Sequence, residues 1–163
     1  LALNHPKHVE RLVLAASAAR PSARDCALMR GWAAGLRAGL SQEAWFTNLF
    51  YWLFTEAFFE NPQGVEDAVR YALDYPWPQS AIAFSHQVEA IAAFDATDRL
   101  ARLKAKTMIL MGEQDILFTP EKVMRDFIRI HGLRMHIIPK AAHSIHLEAP
   151  GPFADAVLSF LGE

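Results

Sequence analysis

The chain has 163 residues and a mass of 18.3 kDa, the size of one domain. Its hydrophobic fraction is 52% and its charged fraction 21%, which provides for a core and excludes disorder for the bulk of the chain. Sixteen Lys and Arg against eighteen Asp and Glu leave a net charge of −2, so no nucleic-acid partner is expected.

The single cysteine, Cys26, excludes an internal disulfide and points to a reducing, cytoplasmic setting. No charged n-region precedes an apolar stretch, so no signal peptide is expected. The longest apolar region, Ala44 to Phe59, is interrupted by Thr47, Asn48, Thr55 and Glu56, and predicts neither a membrane span nor a membrane partner.

Leu1 to Pro6 reads as the last turn of a helix, stopped by Pro6. Arg11 to Ser17 is a continuous apolar run and predicts a strand buried on both faces. From Pro21 to Phe94 the pattern turns helical. Ser41 opens one helix with a capping hydroxyl, and Trp45 to Phe59 is a single aromatic-rich helix with one polar stripe at Asn48, Tyr51 and Thr55. Asn61-Pro62 starts the next helix, Tyr75 to Pro78 is a break, and Ser80 caps a helix running to Phe94.

Asp95 to Leu100 predicts a short capped helix, and Thr107 to Gly112 a second buried strand. Thr119-Pro120-Glu121 opens a helix to about Ile130, closed by Gly132. Met135 to Pro139 is a third strand, and Gly151 to Leu161 a final amphipathic helix. Strands alternating with helices mean parallel βαβ units, so the expected class is α/β. The expected organisation is an α/β core from residues 1–20 and 95–163, with a helical cap from 21–94.

In open parallel sheets ligands bind beyond the carboxyl ends of the strands, here after Ser17, Gly112 and Pro139. One ionisable residue follows each of the last two strands closely, Asp115 and His143. Taken singly, an Asp after a strand is a turn former and a loop histidine is solvated. Together, at strand tips one crossover apart, they have the makings of a carboxylate–imidazole pair, the base half of a nucleophile–His–acid triad.

Met108 to Glu148, with its Gly-Glu-x-Asp-x-x-x-x-Pro and Ala-His-x-x-x-x-Glu-x-Pro segments, resembles the end of an α/β-hydrolase-fold protein. The opening His5-Pro-Lys-His-Val-Glu-Arg-Leu-Val-Leu14 resembles that family's link from the nucleophile helix into the sixth strand. The resemblance covers both ends of the chain well and the helical insertion loosely. It implies three parallel strands from the C-terminal half of the hydrolase sheet, with the cap inserted between the first and second. It also implies Asp115 as triad acid and His143 as general base, and no cofactor. The chain departs from the family at Lys106, where a proline is usual, and at Ala142, where a glycine would ease a sharp turn.

No Gly-x-Ser-x-Gly elbow occurs. The nearest segment, Gly31-Trp-Ala-Ala-Gly35, has Ala33 in place of serine and follows the wrong strand. The resemblance therefore places the nucleophile upstream of Leu1. Cys26 stands in the right chain order for a substitute but reads as an ordinary helix residue. Ser17, at a strand end, is expected to line the substrate pocket, with Trp45, Trp52 and Gln87 from the cap. A metal site built from His143, His146 and Asp115 is the alternative use of those side chains, without any HExxH motif to support it. The aromatic helix reads either as cap core or as an apolar substrate lining.

The expected function is hydrolysis of an ester, lactone or related acyl or carbon bond in a small-molecule substrate, the resemblance being to the esterase and enol-lactonase branch. The competing reading is an inactive fragment or interaction module of the same fold. The first strand carries no edge protection after Arg11, so self-association or pairing with a missing N-terminal part is expected.

Overall fold

The computed structural model describes all 163 residues. The chain divides into two compact units, Leu1–Arg20 with Asp95–Glu163, and Pro21–Phe94. No helix is long and apolar enough to cross a membrane.

The first unit is built on a three-stranded parallel sheet in the order β1 (Arg11–Ala15), β2 (Lys106–Gly112), β3 (Arg134–Ile138). Leu14 registers with Ile109, and Ile109 with Met135. Strand β2 is hydrogen-bonded on both sides, and every residue after Lys106 is buried. Its alternation divides the core. Ile109 and Met111 pack with Val123, Phe127 and Ile130 of the α6 (Pro120–Phe127) side. Leu110 packs with Ile138, Ala141 and Ile145, flanked by Phe153 and Val157 of α8 (Pro150–Gly162). Each such side chain contributes about 1.5–3 kcal/mol on full burial, so β2 is the element that the unit condenses around.

Strand β1 differs from expectation: all five residues are half-buried rather than buried on both faces. It is an edge of the sheet, with β2 as its one hydrogen-bonded neighbour. A single helical turn, with His5 N donating to Leu1 O at 2.8 Å, closes just before Pro6, and Pro6 itself opens a 3-10 turn, Pro6–His8, where its missing N–H costs nothing. Thr97–Arg102 is likewise a 3-10 segment, led by Asp95, whose carboxylate accepts from Thr97 N at 2.8 Å.

The second unit holds α1 (Ala23–Arg37), α2 (Gln42–Leu53), α3 (Glu56–Phe59), α4 (Pro62–Leu73) and α5 (Ala81–Ala92). Its helix starts are the capping residues read from sequence. Ser41 accepts from Ala44 N, Asn61 from Gly64 N and Ser80 from Ala83 N. Ser22 and Asp25 form a reciprocal capping box on α1. The aromatic stretch is not one helix. It breaks at Phe54, whose backbone is extended, and resumes as the single turn α3. Packing sets the break: it lets Phe50, Phe54 and Phe58 gather with Val69 of α4, Phe54 and Phe58 stacking at 4.3 Å.

Candidate active site

The site forms where β2 and β3 end side by side. After Gly112 the chain turns, with Glu113 N donating to Ile138 O and Gln114 N to Ala141 O, each at 2.9 Å. These bonds lock the two loops together before any functional side chain is placed. Gly112 is essential to the approach. A Cβ there would stand 2.1 Å from Ala142 O and 2.4 Å from Ala141 O, inside van der Waals contact with backbone that cannot yield.

Asp115 follows three residues later, and its side chain has no exposed surface. Its Oδ1 accepts from Leu117 N at 2.9 Å and from Phe118 N at 2.8 Å. Its Oδ2 lies 2.9 Å from His143 Nδ1. A buried carboxylate is tolerated when its lone pairs are matched, and here the loop's own amides match one oxygen while the imidazole matches the other.

Main-chain and ring contacts hold the loop that carries His143. The loop after β3 turns through Lys140, which has a left-handed backbone (φ 57°). Glu113 accepts from Lys140 N at 3.1 Å, and Glu148 from Ala142 N at 2.7 Å. Phe118 meets the His143 ring edge to face, centroids 5.5 Å apart. The turn expected to strain Ala142 falls on Lys140 instead, so the missing glycine at 142 has no conformational consequence. His146 does not lie in an open loop either; it sits in the single turn α7 (Ile145–Glu148), its ring 6.2 Å from Phe153.

The chemistry follows from the hydrogen bonds. An ionised carboxylate only accepts, so the bond to Asp115 assigns the proton to Nδ1 and leaves the Nε2 lone pair as the basic site. Asp115 thereby fixes the ring's tautomer and orientation and stabilises the imidazolium that proton uptake would create. The His143 side chain keeps 20% of its surface exposed, against none for Asp115, so the imidazole is reachable while the carboxylate is not.

The other candidates are placed elsewhere. Ser17 donates its hydroxyl to Ala15 O at 2.8 Å, a local contact at the end of β1. Cys26 is half-buried in α1. No group of three His, Cys, Asp or Glu is placed to hold a metal ion, His146 being turned to Phe153. Trp45 and Gln87 line one cavity of about 450 Å³ in the helical unit. Trp52 is not part of it and lies instead against the Arg24 guanidinium, 5.5 Å away. Sequence reasoning missed Gly112, Glu113 and Phe118 and assigned no role to Glu148. The Gly-Glu-x-Asp and His-x-x-x-x-Glu spacings carried the signal for both carboxylates.

No protein-family model matches the sequence. Solved structures do match. MGS-M2, an α/β-hydrolase enzyme from a Medee basin deep-sea metagenome library, superposes with a TM-score of 0.88 at 20% identity, over 99% of this chain and 59% of that one. The enol-lactonase from Burkholderia xenovorans LB400 gives 0.85 at 23% identity, over 100% and 60%. A hydrolase from Pseudomonas aeruginosa PA01 gives 0.82 at 28% identity, over 100% and 59%. The chain spans about three-fifths of the length of these proteins, and its sheet and helices match the C-terminal part of an α/β-hydrolase fold.

Proposed function

We propose that this chain supplies the histidine and the acid of a nucleophile–histidine–acid hydrolase site, with the nucleophile carried by a segment N-terminal to Leu1. The Asp115–His143 bond of 2.9 Å carries the reading. In the intact site a serine hydroxyl attacks the substrate carbonyl while His143 Nε2 takes its proton. Asp115 holds the resulting imidazolium, and His143 returns the proton to the leaving group. Water, deprotonated by the same nitrogen, then releases the acyl group. Esters, lactones and related acyl or carbon bonds suit this chemistry, and the likeness to the enol-lactonase favours the first two. Residues 21–94 serve as the substrate-selecting cap, no cofactor takes part, and the cytoplasm is the proposed setting.

The reading also proposes a partner for β1. Its outer edge has no hydrogen-bonded neighbour and can pair with an incoming strand or a second copy. Size-exclusion chromatography with light scattering should show association or aggregation of the 163-residue chain, and a cooperative 18.3 kDa monomer would contradict this.

The test of function is turnover of p-nitrophenyl acetate by the chain extended through its upstream coding sequence. His143→Ala should lower kcat by roughly 10³-fold or more, and the 163-residue chain alone should not exceed background. Turnover that survives His143→Ala would refute the assignment.

A further inference from the structure

The cavity in the helical unit has walls of a definite kind. The Trp45 ring meets Phe46 at 5.0 Å and 77°, and Phe84 at 5.1 Å and 87°, so its walls present aromatic faces and edges at right angles. Trp45 is itself fixed: its Nε1 donates to Trp32 O at 3.0 Å, and Trp32 Nε1 donates to Asn48 Oδ1 at 3.0 Å. At the rim, Trp77 is 76% exposed, an unusual position for so large an apolar surface. No ionisable carboxylate, ammonium, guanidinium or imidazole lines the cavity. Its polar lining includes Gln79 and Gln87, joined by a bond of 2.8 Å from Gln79 Nε2 to Gln87 Oε1. That bond leaves Gln87 Nε2 as a donor and Gln79 Oε1 as an acceptor.

We infer that this cavity is a binding site for an uncharged, planar aromatic molecule bearing a carboxamide or lactam. Perpendicular aromatic walls match the positive edge and negative face of a flat ring. A donor on Gln87 and an acceptor on Gln79 match the C=O and N–H of an amide. The absence of any lining charge disfavours an ion, which would lose its hydration without compensation. A volume of about 450 Å³ falls within the roughly 300–1,000 Å³ of small-molecule pockets, enough for two fused rings and an amide. The inference needs neither His143 nor turnover and stands apart from the hydrolase reading.

Calorimetric titration of the chain extended through its upstream coding sequence with 2-naphthamide tests it, with 2-naphthoate and nonanamide as comparators. The expected result is saturable one-to-one binding of 2-naphthamide, at least about tenfold tighter than either comparator, since 2-naphthoate has to desolvate a charge and nonanamide forfeits the ring contacts. Gln87→Leu, at an exposed position where folding is unaffected, should weaken 2-naphthamide by about tenfold and leave naphthalene binding unchanged. No saturable binding overturns the site. Equal binding of nonanamide overturns the aromatic class, equal binding of 2-naphthoate overturns the uncharged class, and indifference to Gln87→Leu overturns the role of the amide pair.

Discussion

The loops at the ends of β2 and β3 and the helices of residues 21–94 are held together in opposite ways. Around Asp115 and His143 the structure is backbone against backbone: amides of one loop donate to carbonyls of the other, and carboxylates of Glu113 and Glu148 accept from main-chain N–H groups. In the helical unit the contacts are rings on rings, with ion pairs such as Arg30–Glu89 on the surface. Backbone hydrogen bonds are directional and fix atoms to tenths of an ångström, as proton transfer between a base and its substrate requires. Contacts between rings are less directional and admit more than one geometry. The comparison implies that small changes should be costly at the strand tips and mild among the helices.

Gly112→Ala is the sharpest attempt to break it. A single added methyl should destabilise the chain by about 3 kcal/mol, because the carbonyls of Ala141 and Ala142 stand in its place. Chemical denaturation measures this, and a loss below about 0.5 kcal/mol would mean that the loops can separate freely. Glu148→Ala comes next. It removes the acceptor of the Ala142 N–H, whose residue is wholly buried, and should cost about 1–3 kcal/mol in the same assay.

The same glycine-to-alanine change made in α1 should have the opposite sign. A Cβ at Gly31 meets nothing within 4 Å, so Gly31→Ala should stabilise by about 0.5–1 kcal/mol through helix propensity alone. A destabilisation there would erase the contrast between the regions. The smallest effect concerns Glu89. The hydrogen bond from Arg30 holds its carboxyl below the ordinary value of 4.5. A depressed folded-state pKa contributes stability that is present above the unfolded value and lost as pH falls through the folded one. Glu89→Gln should therefore flatten slightly the fall of Tm on the acid side of pH 4.5, and salt should mask the difference because the pair is exposed.

Much of this architecture is readable in the sequence because its signals are local. The apolar run before Gly112 marks β2, capping residues Ser41, Asn61 and Ser80 mark helix starts, and the strand-tip positions of Asp115 and His143 suffice to expect their pairing. What the sequence conceals depends on residues distant along the chain. The break at Phe54 follows from packing against Val69, the half-burial of β1 from its place at a sheet edge, and the need for glycine at 112 from carbonyls thirty positions on. Trp45, Trp52 and Gln87 look alike as pocket candidates in sequence. Only packing parts Trp52, against Arg24, from the cavity that the other two line.

The central claim is that Asp115 holds His143 with its proton on Nδ1, leaving Nε2 basic. Two-bond ¹H–¹⁵N correlation spectra of the histidine rings near neutral pH read the tautomer directly. The account predicts that neutral His143 is the Nδ1–H form and that Asp115→Asn abolishes this preference. An Nε2–H ring in the unmodified chain, or an Nδ1–H ring indifferent to Asp115→Asn, would contradict it.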